Sequence, residues 1–132
     1  MLQASDFAFM NYAGQLIVSW LKKIGINAQP AVSNWGGVVT RRAVTAPPDK
    51  GGWNIFTTYG SSYDFGNPIT MVSLAANGKK GWFGWPENAQ YEALRKKWAV
   101  VPTPAERLDI AKQMQAIAWD FVPIAVPQPT CS

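Results

Sequence analysis

The chain has 132 residues, 48% of them hydrophobic and only 15% charged, with a formal net charge of +4. That is one domain's length, able to bury a core and too hydrophobic for a disordered segment. It contains no histidine, and its single cysteine is Cys131, so Ser-His-Asp, Cys-His and His-ligated metal chemistry, thiolate clusters and disulfide frameworks are all excluded.

Aromatics are abundant, with seven Trp, four Tyr and six Phe. A chain this rich in Trp and poor in charge has large interior faces or presents aromatic surface to a partner. No membrane span is expected: the longest uncharged helical run, Phe7 to Leu21, holds 15 residues interrupted by Asn11, Gln15 and Ser19, against about 20 apolar residues needed. The first basic residue is Lys22, which does not fit the basic start of a secretory signal. A protein working outside the cytoplasm would carry that signal elsewhere.

In chain order, Ala13, Ile17, Trp20, Leu21 and Ile24 recur at spacings of three and four and predict a helix over Asp6–Ile24. Asp6 is placed to cap it, Lys22 and Lys23 suit the negative end of its dipole, and Gly25 can end it. Alternation in Ile26–Val32 predicts a strand near a sheet edge, since Pro30 lacks an N–H. A short helix follows, with Ser33 or Asn34 as cap and Trp35, Val38 and Val39 on its apolar side. After the loop bracketed by Pro47-Pro48 and Gly51-Gly52, the β-formers of Trp53–Tyr59 predict a second strand.

From Gly60 to Pro86 no period is sustained. So long an irregular stretch is usually functional in a compact domain. A helix is expected over Glu87–Val100 with Tyr91, Leu94 and Trp98 inward. The last helix has the clearest signals: Thr103 and Glu106 at capping-box spacing, Pro104 at the first helical position, and a stripe of Ile110, Met114, Ile117 and Phe121. Val122–Val126 reads as a short extended run. Alternating helical and extended periods imply an α/β fold, with the first and last helices packed on a sheet of Ile26–Val32 and Trp53–Tyr59.

The mild basic excess gathers at Lys22-Lys23, Arg41-Arg42, Lys79-Lys80 and Arg95-Lys96-Lys97. These read mostly as helix ends and solvated helix faces, and no nucleic-acid-binding module accompanies them. Asn77-Gly78-Lys79-Lys80-Gly81 lacks the glycine spacing and Ser/Thr of a phosphate loop and reads as an exposed turn. No two acids are placed as a general acid and base, so an enzyme would have neither His, metal nor an evident nucleophile. The remaining candidate is Trp53–Trp85, which holds Trp53, Tyr59, Tyr63, Phe65, Trp82, Phe83 and Trp85 around a single acid, Asp64. A lone carboxylate among rings could hold a ligand cation. Alternatively, Asp64 satisfies local backbone in a turn closed by Phe65-Gly66-Asn67-Pro68.

Ile24-Gly25-Ile26, Asn34-Trp35, Trp53-Asn54-Ile55, Asp64 to Pro68, Gly81-Trp82-Phe83-Gly84-Trp85-Pro86, Glu106-Arg107 and Val122-Pro123 occur in an order and spacing that resembles the C-terminal lobe of family 5 extracellular solute-binding proteins of ABC importers. Those proteins bind peptides, nickel and related solutes. The resemblance runs from about Tyr12 to Pro127. It implies that residues 1–132 are a single α/β lobe of a two-lobed, type II periplasmic-binding-protein-like fold, incomplete, without its partner lobe and hinge.

The implied function is non-enzymatic: solute binding, with a small peptide or related solute delivered to an ABC permease, in the periplasm or otherwise outside the cytoplasm, without cofactor, metal or nucleic acid. Peptide-binding members pair an Asp four residues before a Pro with the ligand's amine, and Asp64 stands four residues before Pro68. Ser61 replaces the usual Trp and Asn67 the usual acid. The implied ligand-binding residues are Tyr59, Ser61, Tyr63 and Asp64. The fragment's uncovered Trp-rich faces are expected to drive self-association. Two other classes fit the composition, a carbohydrate-binding module and a single-stranded nucleic-acid binder stacking on the same Trp/Tyr surface.

Overall fold

A computed structural model describes residues 1–125. These form two compact units, residues 1–59 and a second beginning at Gly60. Together they carry helices and a two-stranded parallel sheet.

The first unit runs β1 (Leu2–Ala4), α1 (Ala8–Lys23), β2 (Ala31–Ser33) and α2 (Trp35–Arg41). β1 and β2 pair in parallel, Leu2 opposite Ala31 and Ala4 opposite Ser33, with α1 as the connection between them. All three residues of β1 are buried, as expected of a parallel strand covered on both faces. Leu2, Ala4, Met10 and Val38 form the core, with Phe7, Trp35, Trp53 and Phe56 packed around it. Gln3 is the buried polar exception; its amide donates to Asn11 Oδ1 at 2.7 Å. It lies flat on α1 because Gly14 has no side chain: a Cβ there would meet Gln3 Cγ at 2.8 Å.

Both strand expectations need correction. Ile26–Val32 is mostly irregular, because Ile26 N–H is spent on Leu21 C=O and Ala28 N–H on Ile26 C=O, closing the end of α1. The ladder begins only at Ala31, whose N–H reaches Met1 C=O at 2.7 Å. Trp53–Tyr59 contributes one bridge, Phe56 beside Leu2, supported by Leu2 N–H on Ile55 C=O at 2.8 Å. A strand needs a partner ladder, and β1 supplies only three residues. β1 itself had no sequence signal of its own.

α1 closely follows the expected span, but Asp6 does not cap it; its N-cap is Phe7, without a side-chain bond. Asp6 serves α2 instead, accepting Trp35 N–H at 2.8 Å while Asn34 Oδ1 accepts Gly37 N–H at 2.8 Å. Two side chains thus satisfy orphan donors of a seven-residue helix. The Arg41 guanidinium ties the following loop by donating to Gly51 and Gly52 C=O at 2.8 and 3.2 Å.

The second unit contains the segment from Gly60, then α3 (Ala89–Val100) and α4 (Pro104–Phe121). The two helices pack on each other around Ala76, Tyr91, Ile110 and Met114, joined by Leu94, Trp98, Ile117 and Phe121. That is the sequence stripe as read, and the Thr103–Glu106 capping box is formed. Residues 122–125 form no strand; the rest of the expected Val122–Val126 run lies outside the described residues.

Candidate functional site

The irregular stretch after Gly60 is built from short capped turns. Phe65 N–H donates to Ser61 C=O at 3.2 Å, closing one helical turn. Asp64 Oδ2 accepts both Ser61 N–H at 2.7 Å and Ser61 Oγ–H at 2.8 Å, and Asp64 N–H returns to Ser61 Oγ at 3.3 Å. This is a capping box in miniature, which the Ser-x-x-Asp spacing could have announced. Asn67 caps the next turn, its Oδ1 accepting Ile69 and Thr70 N–H at 2.9 and 3.1 Å. Thr70 Oγ1 then donates to Tyr63 C=O at 3.1 Å and links the two turns.

Ser61, Tyr63 and Asp64 therefore come together in one solvent-exposed turn. The Ser61 N–H, and then its hydroxyl, hold the Asp64 carboxyl below the usual carboxylate range. The carboxylate is ionised at neutral pH. Both bonds fall on Oδ2, and among the described residues Oδ1 accepts none. Tyr63 is 80% exposed. Tyr59 has other neighbours in the first unit: its ring stands 5.9 Å from Phe7, 5.5 Å from Phe9 and 5.8 Å from Trp35. The turn role considered for Asp64 is thus present, through Ser61, and leaves one oxygen open for a cation.

Two residues that hold this region were missed. The Arg95 guanidinium donates from Nε to Pro68 C=O at 2.9 Å and from Nη2 to Ile69 C=O at 3.0 Å. Glu92 lies 3.5 Å from Arg95 and accepts Ala76 N–H at 2.8 Å. One ion pair on α3 therefore grips the irregular chain at 68–69 and again at 76. This corrects the solvated-face reading of Arg95, whose side chain is 17% exposed. The i,i+3 spacing shows that the pair can meet, but nothing local shows which carbonyls come to it.

Farther along, Gly78 N–H on Pro86 C=O and Asn88 N–H on Ala76 C=O, both 2.9 Å, close a loop carrying Trp82, Phe83 and Trp85. Trp85 adopts φ 48°, a conformation uncommon for a bulky residue. Among the described residues no cluster of three His, Cys, Asp or Glu could hold a metal ion, and no helix is long and apolar enough to cross a membrane.

No family model matches the chain. Over 122 residues, 92% of its length, it is 48% identical to a probable peptide ABC transporter periplasmic-binding protein of Sinorhizobium fredii. The chain resembles one segment of a solute-binding protein. It spans 23% of that relative's length. The resemblance read from scattered motifs is therefore borne out by continuous similarity, and the relative's name describes a binding protein of a transporter.

Proposed function

We propose that this chain is part of the solute-binding component of an ABC importer, with small peptides or related solutes as ligands and a membrane permease as partner. The observation that carries the reading is the 48% identity to a peptide transporter's periplasmic-binding protein. Its place is the periplasm, its role binding rather than catalysis. Residues 1–132 are most of one α/β lobe of a two-lobed, type II fold.

The Ser61–Asp64 turn is the proposed ligand contact. Asp64 offers a ligand ammonium its open Oδ1 while Ser61 fixes Oδ2, so the carboxylate arrives oriented and charged. Tyr63 supplies an exposed ring beside it, whereas Tyr59 packs with Phe7, Phe9 and Trp35 in the first unit and is left out of this contact. The test is chemical-shift perturbation of the chain by a short peptide with a free amine, by its N-acetylated form, by a xylo-oligosaccharide and by oligo-dT. The free-amine peptide is expected to shift Ser61–Asp64 amides with millimolar affinity, since half a cleft leaves much of a ligand in water. Asp64→Asn and acetylation should each abolish the shifts. Equal response to the acetylated peptide would refute the ammonium contact, and a response only to sugar or DNA would refute the peptide reading.

A further inference from the structure

The turn that carries Asp64 lies on the surface. Ser61 through Gly66 are all exposed, so packing does little to fix it. Its own hydrogen bonds are internal: Ser61 with Asp64 and Phe65, and Gly66 N–H with Tyr63 C=O at 3.4 Å. Among the described residues, one hydrogen bond ties the turn to anything outside itself, from Thr70 Oγ1 to Tyr63 C=O at 3.1 Å. The hydroxyl's second acceptor, Asn67 C=O at 3.3 Å, already takes Met71 N–H at 3.1 Å. Thr70 is itself held. Its N–H donates to Asn67 Oδ1, and the two preceding carbonyls, of Pro68 and Ile69, are gripped by Arg95 of α3. We infer that Thr70 is a positioning residue for ligand: its hydroxyl holds the Tyr63 carbonyl, and through it the Asp64 carboxylate, at a fixed reach from α3.

The inference rests on the reading of Asp64 as the contact for a ligand ammonium. Ser61 decides which Asp64 oxygen stays open, but both residues ride on the same turn. Their bonds therefore orient the carboxylate within the turn and do not fix where the turn sits. The Tyr63 carbonyl and the N and Cα of Asp64 share one planar peptide unit. A hold on that oxygen thus orients the root of the Asp64 side chain directly. An ammonium that meets a carboxylate already in place does not bear the cost of ordering the turn, which is how preorganisation adds affinity. The donor is what counts: valine fills nearly the same space without it, and serine keeps it.

Thr70→Val and Thr70→Ser in the 132-residue chain test it. In Thr70→Val, amide relaxation of Ser61–Gly66 should show added fast motion while the α3 amides are unchanged. Affinity for a short free-amine peptide, read by chemical-shift titration, should fall about three- to tenfold, the range of one solvent-accessible hydrogen bond. Thr70→Ser should restore both. The Asp64 titration should stay below 3.8 in Thr70→Val, because its Ser61 partners are untouched. A midpoint raised to that value would mean a broken turn rather than a released one and would overturn the inference. A loss of affinity that Thr70→Ser fails to restore would assign the effect to packing and overturn it too. Full affinity in Thr70→Val, with Asp64→Asn still abolishing the response, would overturn it and leave the ligand reading standing. No response to the free-amine peptide, or an equal response to its acetylated form, would overturn the ligand reading and the positioning role with it, even if the turn loosens as described.

Discussion

Removing the Arg95 guanidinium is the sharpest test of how the irregular chain after Gly60 is held. Arg95→Ala deletes the donors to Pro68 and Ile69 C=O and leaves Glu92 without its cation. A hydrogen bond to a charged group contributes about 1.5–3 kcal/mol when intact. The Ile69 bond is exposed, so water takes over much of it, whereas the Pro68 bond is partly buried. The expected loss is therefore about 2–3 kcal/mol rather than the sum of two full bonds. Urea unfolding followed by circular dichroism measures the total, and amide exchange locates it: Met71 N–H, bonded to Asn67 C=O, should lose protection while the α4 amides keep theirs relative to global unfolding. Arg95→Lys should recover less than half, because an ammonium lacks the planar fork that reaches two carbonyls. Stability within about 0.5 kcal/mol of wild type, the range of an inert surface change, with Met71 protection intact, would refute the clamp.

Asp64 has a lowered folded pKa, so its contribution to the turn is present above the ordinary carboxylate range and is lost as pH falls through the folded value. The Ser61 amide resonance should titrate below 3.8, the ordinary Asp value, and Asp64→Asn should abolish that titration; a midpoint above 3.8 would contradict the bonding described. Thr103→Ala removes the capping-box hydroxyl of α4 and should cost about 1 kcal/mol by thermal or urea unfolding. At Gly52 a Cβ would sit 1.6 Å from Ala46 C=O, so Gly52→Ala should destabilise by about 3 kcal/mol or more, on the scale of a severe steric insertion; a near-neutral effect would show that the 46–52 loop relaxes freely.

The helices were legible because their determinants are local. Thr103, Pro104 and Glu106 lie within one turn, and Ile110, Met114, Ile117 and Phe121 repeat at the helical period, so α4 follows from spacing and capping chemistry alone. The resemblance to a solute-binding protein was legible for a different reason: several short motifs in one order and spacing are specific together where no single one is. The strands were not legible. Whether Trp53–Tyr59 extends into a ladder depends on how many residues β1 offers it, and β1 is a three-residue segment whose burial comes entirely from its neighbours. The same holds for the long-range polar contacts. Asp6 sits where it could cap α1, yet it caps α2, because the parallel pairing of β1 with β2 brings position 35 beside position 6. Arg95 reads as one more surface cation until the packing of the second unit brings two loop carbonyls to it. Propensity and capping act within a turn or two and can be read along the chain; strand pairing and the destination of a guanidinium are set by which distant backbone groups would otherwise lie without partners, and only the tertiary structure brings those groups together.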